Sequence, residues 1–93
     1  MNFRESDFKK SGCKLVIGRN SDLSQLHLPH DSVSRQHATL SYQGGNFFVE
    51  DRNSGNGTRV NGRVLPMGSV PMPLHNGDKL TLGEVDLIFE VTR

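Results

Sequence analysis

Asn53-Ser54-Gly55-Asn56-Gly57-Thr58-Arg59-Val60-Asn61-Gly62 contains the dipeptide Asn-Gly twice, at Asn56-Gly57 and at Asn61-Gly62. Between short apolar runs, Asn-Gly signals a two-residue hairpin turn, because both turn positions need positive φ. The two copies cannot both be ordinary hairpin turns. The strand between them would hold only Thr58-Arg59-Val60. Asn61-Gly62, flanked by Thr58-Arg59-Val60 and Arg63-Val64-Leu65, reads as a type I′ hairpin. Asn56-Gly57 then belongs to a loop of another kind.

Outward from this hairpin the apolar residues come in short runs separated by turn residues. Leu15-Val16-Ile17 is one run, and Leu26-His27-Leu28 is another, stopped by Pro29. Ala38, Leu40 and Tyr42 alternate with His37, Thr39 and Ser41, as in a half-buried strand. Gly44-Gly45-Asn46 turns the chain into Phe47-Phe48-Val49. Pro66, Pro71 and Pro73 predict an irregular or edge-like region. Asn76-Gly77-Asp78 marks another turn, followed by Lys79 to Leu82 and by a closing strand from Val85 to Val91. On that strand Val85, Leu87, Phe89 and Val91 share one face. No stretch carries a helical period. Many short strands with turns between them predict an all-β sandwich, and a single domain over residues 1–93.

The composition narrows the function. With 93 residues the chain has room for one domain. Net charge is +1, from 11 basic and 10 acidic residues, without a block of one sign. That argues against nucleic acid or a membrane surface as partner, since both are bound through many phosphate contacts. Trp is absent and Tyr occurs once, so no base-stacking platform is legible. No apolar run is long enough to span a membrane, and Met1 to Lys10 has no signal-like apolar segment. The lone Cys13 leaves no intrachain disulfide, and the expected setting is cytoplasmic.

Two polar segments between predicted strands are rich in hydrogen-bonding groups: Pro29 to His37, and Asp51 to Thr58. A sandwich clusters its loops at its ends, which is a common way to build a binding surface. Gly18-Arg19, then Ser34-Arg35-Gln36-His37, then Asn56-Gly57-Thr58 with Asn61-Gly62 close behind, resembles the forkhead-associated (FHA) domain in order and spacing. The likeness runs from Leu15 to Val91 and includes the Asn-Gly-Asp turn and Leu82-Gly83. It implies an FHA-like sandwich of about eleven short strands, with ligand loops at one end. It also implies a non-catalytic module that binds phosphothreonine peptides downstream of a Ser/Thr kinase, with no cofactor and no metal.

The residues suit that chemistry. A phosphothreonine carries about −1.5 to −2 charge and three strong acceptor oxygens. Arg19 supplies a fixed charge and a donor fork, and Gly18 before it lets the loop pack closely. Ser34 offers a hydroxyl, and Arg35 offers a backbone N–H and a second guanidinium. Each charge-assisted bond contributes about 1.5–3 kcal/mol. By the resemblance, Asn56 clamps the peptide main chain, which an amide can do as donor and acceptor. His37, Gly57, Thr58 and Asn61 are read as shaping the loops, with Gly55 and Gly57 there for positive φ.

The chain also departs from the family pattern. Gly55 stands where Ser or Thr is common, so one hydroxyl is missing and the Gly55 backbone N–H is expected to serve instead. The opening segment is short. Its first strand is expected to be short, irregular or supplied by a neighbouring chain, leaving a monomer or an edge-strand dimer. Other readings stay open. Arg19 could sit in a surface ion pair, and Ser34 could cap a turn. Asp31, Ser34 and His37 hold the residue types of a hydrolase triad, although crowded into one loop. His27, His30 and His37 match no metal-ligand spacing. A phosphate-independent interaction or self-association domain is the main alternative.

Overall fold

Alternation sets the first sheet. The structure is a computed structural model and describes residues 2–10, 12–66 and 70–92. Strand β2 (Lys14–Gly18) lies antiparallel to β4 (Ala38–Gln43), which pairs with β5 (Asn46–Asp51). The short β3 (Leu26–His27) runs parallel to β2, and β8 (Met72–Leu74) completes the order β3-β2-β4-β5-β8. Leu15, Ile17, Ala38, Leu40, Phe47 and Val49 point inward and are buried. Thr39 points the other way and is buried too, with Arg52 Nη1 donating to its hydroxyl at 3.2 Å.

The second sheet has the order β10-β9-β6-β7. Its strands are β6 (Thr58–Val60), β7 (Arg63–Val64), β9 (Lys79–Leu82) and β10 (Val85–Ile88). Leu80, Leu82 and Leu65 face the first sheet across the core. Asn61 and Gly62 have φ of 51° and 83°, the pair of positive values that a type I′ turn requires. Asn61 also ties its hairpin to the neighbouring turn: its Oδ1 accepts from Lys79 N at 2.8 Å and its Nδ2 donates to Asp78 Oδ1 at 3.0 Å.

Three expectations are corrected. Glu5–Lys10 forms a helix, α1, where no helical stretch was read. Six residues are too few to show a period, and Phe8 is its only buried side chain. Its ends are nevertheless well made. Glu5 and Asp7 lie in the first turn and Lys9 and Lys10 in the last, complementing the helix dipole. Arg4 N donates to Asp7 Oδ2 at 3.1 Å, as a capping side chain would allow.

The opening strand β1 (Asn2–Arg4) is short, as expected, but its partner lies in the same chain. It pairs in parallel with β11 (Glu90–Thr92). The closing strand is not continuous. Between β10 and β11 the Phe89 backbone leaves the ladder: its N–H donates to Asp78 O at 2.8 Å and its carbonyl accepts from Gly77 N at 2.7 Å. The turn at Asn76-Gly77-Asp78 therefore captures one peptide unit and hands the strand from β9 to β1. Of the irregular region expected around the three prolines, residues 67–69 lie outside the described residues, as do Met1, Ser11 and Arg93.

One end of the core is aromatic. Phe8 packs edge-on to Phe47 at 5.0 Å between ring centroids, and Phe47 contacts Tyr42 and Phe89 at 4.9 and 5.6 Å. Phe3 joins through Phe89 at 5.5 Å. Tyr42 pairs with Phe47 beside the Gly44-Gly45 turn, whereas Ala38 pairs with Asp51 at the other end of the same two strands. The helix and the aromatic cluster thus close one end of the sandwich, and the polar loops occupy the other.

Candidate functional site

Gly18 ends β2 and has no room for a side chain. A Cβ there would lie 2.0 Å from Arg35 O and 2.7 Å from Ser24 Oγ. This contact lets the 19–25 loop lie against the 28–37 loop. Arg19 N donates to Ser34 O at 2.9 Å, Asn20 N to Arg35 O at 3.2 Å, and Ser24 Oγ to Arg35 O at 2.9 Å. The Arg19 side chain follows the same path, with Nε donating to Val33 O at 3.0 Å. Among the described residues, neither Arg19 nor Arg35 forms an ion pair, and both are exposed.

His37 locks the second loop. It is fully buried, and Ser34 N lies 3.0 Å from Nδ1 while Gly57 O lies 2.7 Å from Nε2. An amide can only donate and a carbonyl can only accept. Nδ1 is therefore the acceptor and Nε2 carries the proton, so the ring is the neutral Nε2–H tautomer. Both nitrogens are spent on backbone groups. The Ser34 hydroxyl instead accepts from Gly55 N at 3.1 Å. The triad reading of Asp31, Ser34 and His37 therefore has no base on the serine oxygen.

The 52–57 loop is built on Asp51, the last residue of β5. Asp51 Oδ1 accepts a short bond from the Ser54 hydroxyl and one of 2.7 Å from Thr58 Oγ1, and Oδ2 accepts from Ser54 N at 3.0 Å. Ser54 Oγ in turn accepts from Gly57 N at 3.0 Å. Burial alone would raise the Asp51 carboxyl. The bonds from Ser54 and Thr58 outweigh it and hold Asp51 below the ordinary carboxylate value. Thr58 is fully buried, so it braces the loop from beneath.

Asn56 and Gly57 sit at the crest of that loop. Asn56 is exposed, and its Nδ2 donates to Ser32 O at 2.8 Å, which pins the amide. Gly57 has φ of 82°, as its reading required, but Gly55 does not have positive φ. The left-handed residue nearby is Asn53, with φ of 54°. Nor does the Gly55 amide stand open to a ligand, since it donates to Ser34 Oγ.

The structure thus gathers Gly18, Arg19, Ser34, Arg35, His37, Gly55, Asn56, Gly57 and Thr58 at one end. Asn61 is not among them: it stands at the opposite end of β6 from Thr58. One Asn-Gly shapes the site, and the other closes the distant hairpin.

A family model of the FHA domain matches residues 15–83. The chain belongs to the FHA family. This FHA domain is 40% identical over 73 residues to the ABC transporter ATP-binding/permease protein Rv1747 of Mycobacterium tuberculosis, covering 78% of the chain and 8% of that protein. It is 42% identical over 72 residues to the glycogen accumulation regulator GarA of Mycolicibacterium smegmatis, covering 77% of the chain and 42% of that protein. Its fold matches, with a TM-score of 0.71 and 35% identity, a solved FHA domain studied for phosphothreonine-dependent interactions. That likeness covers 81% of this chain and 73% of the other. The chain spans less than half the length of either of these two curated relatives.

Sequence reading missed the inner supports of this FHA domain: Ser24, Ser32, Asp51 and Ser54. The spacing Asp51-x-x-Ser54 is a legible signal, because an aspartate often accepts from backbone a few residues on. Ser24 and Ser32 gave none, since the groups they brace, Arg35 O, Asn56 Nδ2 and Glu84 N, lie in other loops.

Proposed function

We propose that this FHA domain is a non-catalytic reader of phosphothreonine-bearing protein segments in cytoplasmic Ser/Thr-kinase signalling. The observation that carries the reading is that Arg19, Ser34 and Arg35 lie on two loops bonded to each other, with neither arginine in an ion pair among the described residues. A phosphate bound there is offered the Arg19 guanidinium and the Ser34 hydroxyl, with Arg35 as a second cation on the same loop. The Gly55 amide acts through Ser34: by donating to Oγ it leaves the hydroxyl hydrogen to turn outward. Asn56, pinned through Nδ2, offers Oδ1 and its remaining N–H to the peptide main chain on either side of the phosphothreonine. A small pocket for the threonine methyl adds only about 0.8 kcal/mol by transfer.

Preorganisation supports the same reading. Arg19, Ser34 and Asn56 are each held by bonds to backbone, so little side-chain entropy is lost on binding. The cis pairing of β1 with β11 favours a monomer, because the edge that would invite strand exchange is filled. Isothermal titration with matched phosphorylated and unphosphorylated threonine peptides, chosen from an oriented library, tests the proposal. Two or more charge-assisted bonds of about 1.5–3 kcal/mol each predict a difference of at least about a hundredfold. Equal affinities would instead support a phosphate-independent scaffold.

A further inference from the structure

Ser32 joins three loops. Its hydroxyl oxygen accepts from Glu84 N at 2.9 Å, reaching the turn between β9 and β10. Its carbonyl accepts from Asn56 Nδ2 at 2.8 Å. A Cβ on Gly83 would lie 2.3 Å from that same carbonyl, so the turn presses directly beneath it. Ser32 is itself held by one side chain. Its N–H donates to His30 Nδ1 at 3.1 Å, and its hydroxyl lies 2.8 Å from the same nitrogen.

A ring nitrogen accepts only when it bears no proton. The amide contact therefore needs His30 with Nδ1 unprotonated, whereas the hydroxyl contact can run in either direction. If Nδ1 gains a proton, the Ser32 hydroxyl can rotate and accept from it, but the Ser32 amide cannot turn and is left facing another N–H. The cost falls on the backbone of Ser32, whose carbonyl fixes Asn56. His30 is exposed.

We propose that His30 is a positioning residue for the peptide clamp, acting through Ser32 on Asn56, and that its protonation releases the clamp. The clause about peptide affinity rests on the phosphothreonine reading; the latch itself does not. Other charged or titratable groups on the elements gathered there are Asp31, Arg35 and His37 on the same loop, Arg19 and Asp22 on the 19–25 loop, Arg52 on the 52–57 loop and Glu84 on the β9–β10 turn. His37 also needs an unprotonated Nδ1, so any loss through it is shared by variants at position 30.

The test is His30→Asn, with His30→Asp as a second variant. Both keep a side-chain acceptor for an amide two residues on, and neither carries an imidazole. Affinity for the tightest phosphothreonine peptide of an oriented library is measured at pH 7.5 and 5.5. The phosphate's own second ionisation, near pH 6, weakens binding to all three proteins alike. The loss of affinity between pH 7.5 and 5.5 is about three- to tenfold larger for the wild type than for either variant. Parallel loss in all three, or a relative gain by the wild type, would overturn the proposal. If no phosphopeptide binds at pH 7.5, the functional reading fails and a peptide-free arm judges the latch. Hydrogen exchange of the Ser32 amide then accelerates at pH 5.5 in the wild type relative to His30→Asn, and an unchanged ratio overturns the latch.

Discussion

Arg19 shows how one side chain can be tied down and still remain available. Its Nε bond to Val33 O fixes the direction of the guanidinium, while its backbone N–H bond to Ser34 O fixes the loop beneath it. Arg19→Ala removes a charge-assisted donor set but only one intramolecular bond. Phosphopeptide affinity is expected to fall by about ten- to a hundredfold, since each such bond contributes about 1.5–3 kcal/mol. Stability should change by no more than about 1 kcal/mol, as for one ordinary hydrogen bond. Titration beside a urea melt separates the two effects, and unchanged affinity in a folded variant would remove Arg19 from the site. The motif residues were legible because their chemistry is local: a guanidinium, a hydroxyl and an amide at fixed spacings. The state of the Gly55 amide was not, because its acceptor, Ser34 Oγ, is 21 positions away in the chain.

Helix α1 makes a different point. Its six residues have charges suited to its ends, yet an isolated helix of that length is unstable in water. Phe8 supplies what the helix lacks, by inserting into the cluster of Phe3, Phe47 and Tyr42. Phe8→Ala should cost about 3–5 kcal/mol, the range for emptying a buried phenylalanine site. Urea denaturation reads the loss directly. Affinity of the folded fraction should be unchanged, because the helix and the ligand loops lie at opposite ends of the sandwich. A variant that loses affinity without losing stability would mean that the two ends communicate. The break at Phe89 has the same origin as α1. Alternation along Val85 to Val91 is preserved, so the pattern reads as one strand. The hydrogen bonds from the 77–78 turn that interrupt it leave no mark on the sequence.

Asp51 braces the loop end of the sandwich and Asp78 the hairpin at the other end, and together they give the molecule an acid limit. Asp51 and Asp78 both bind their protons more weakly when folded than when unfolded. For each, burial would raise the value, and hydrogen bonds outweigh it: from Ser54 and Thr58 at Asp51, from His75 and Asn61 at Asp78. Their contribution to stability is therefore complete above the ordinary aspartate value of about 3.9 and is lost as the pH falls through the depressed folded values. Unfolding free energy should be level in this respect from pH 7 to 5 and decline below pH 4. Asp51→Asn should flatten part of that decline while lowering stability at pH 7 by about 1–3 kcal/mol, because an amide N–H would meet the Ser54 donors. An equally steep acid decline in the variant would exclude Asp51 as a source. Strand periods, the Asn61-Gly62 turn and the motif order were set by neighbours in the chain, where propensity and turn geometry act over a few residues. The tautomer of His37, the ties of Ser32 to Asn56 and Glu84, and the cis partner of β1 depend on groups far apart in the chain. Packing brings those groups within hydrogen-bonding distance, and no local preference encodes a distance that only the closed sandwich creates.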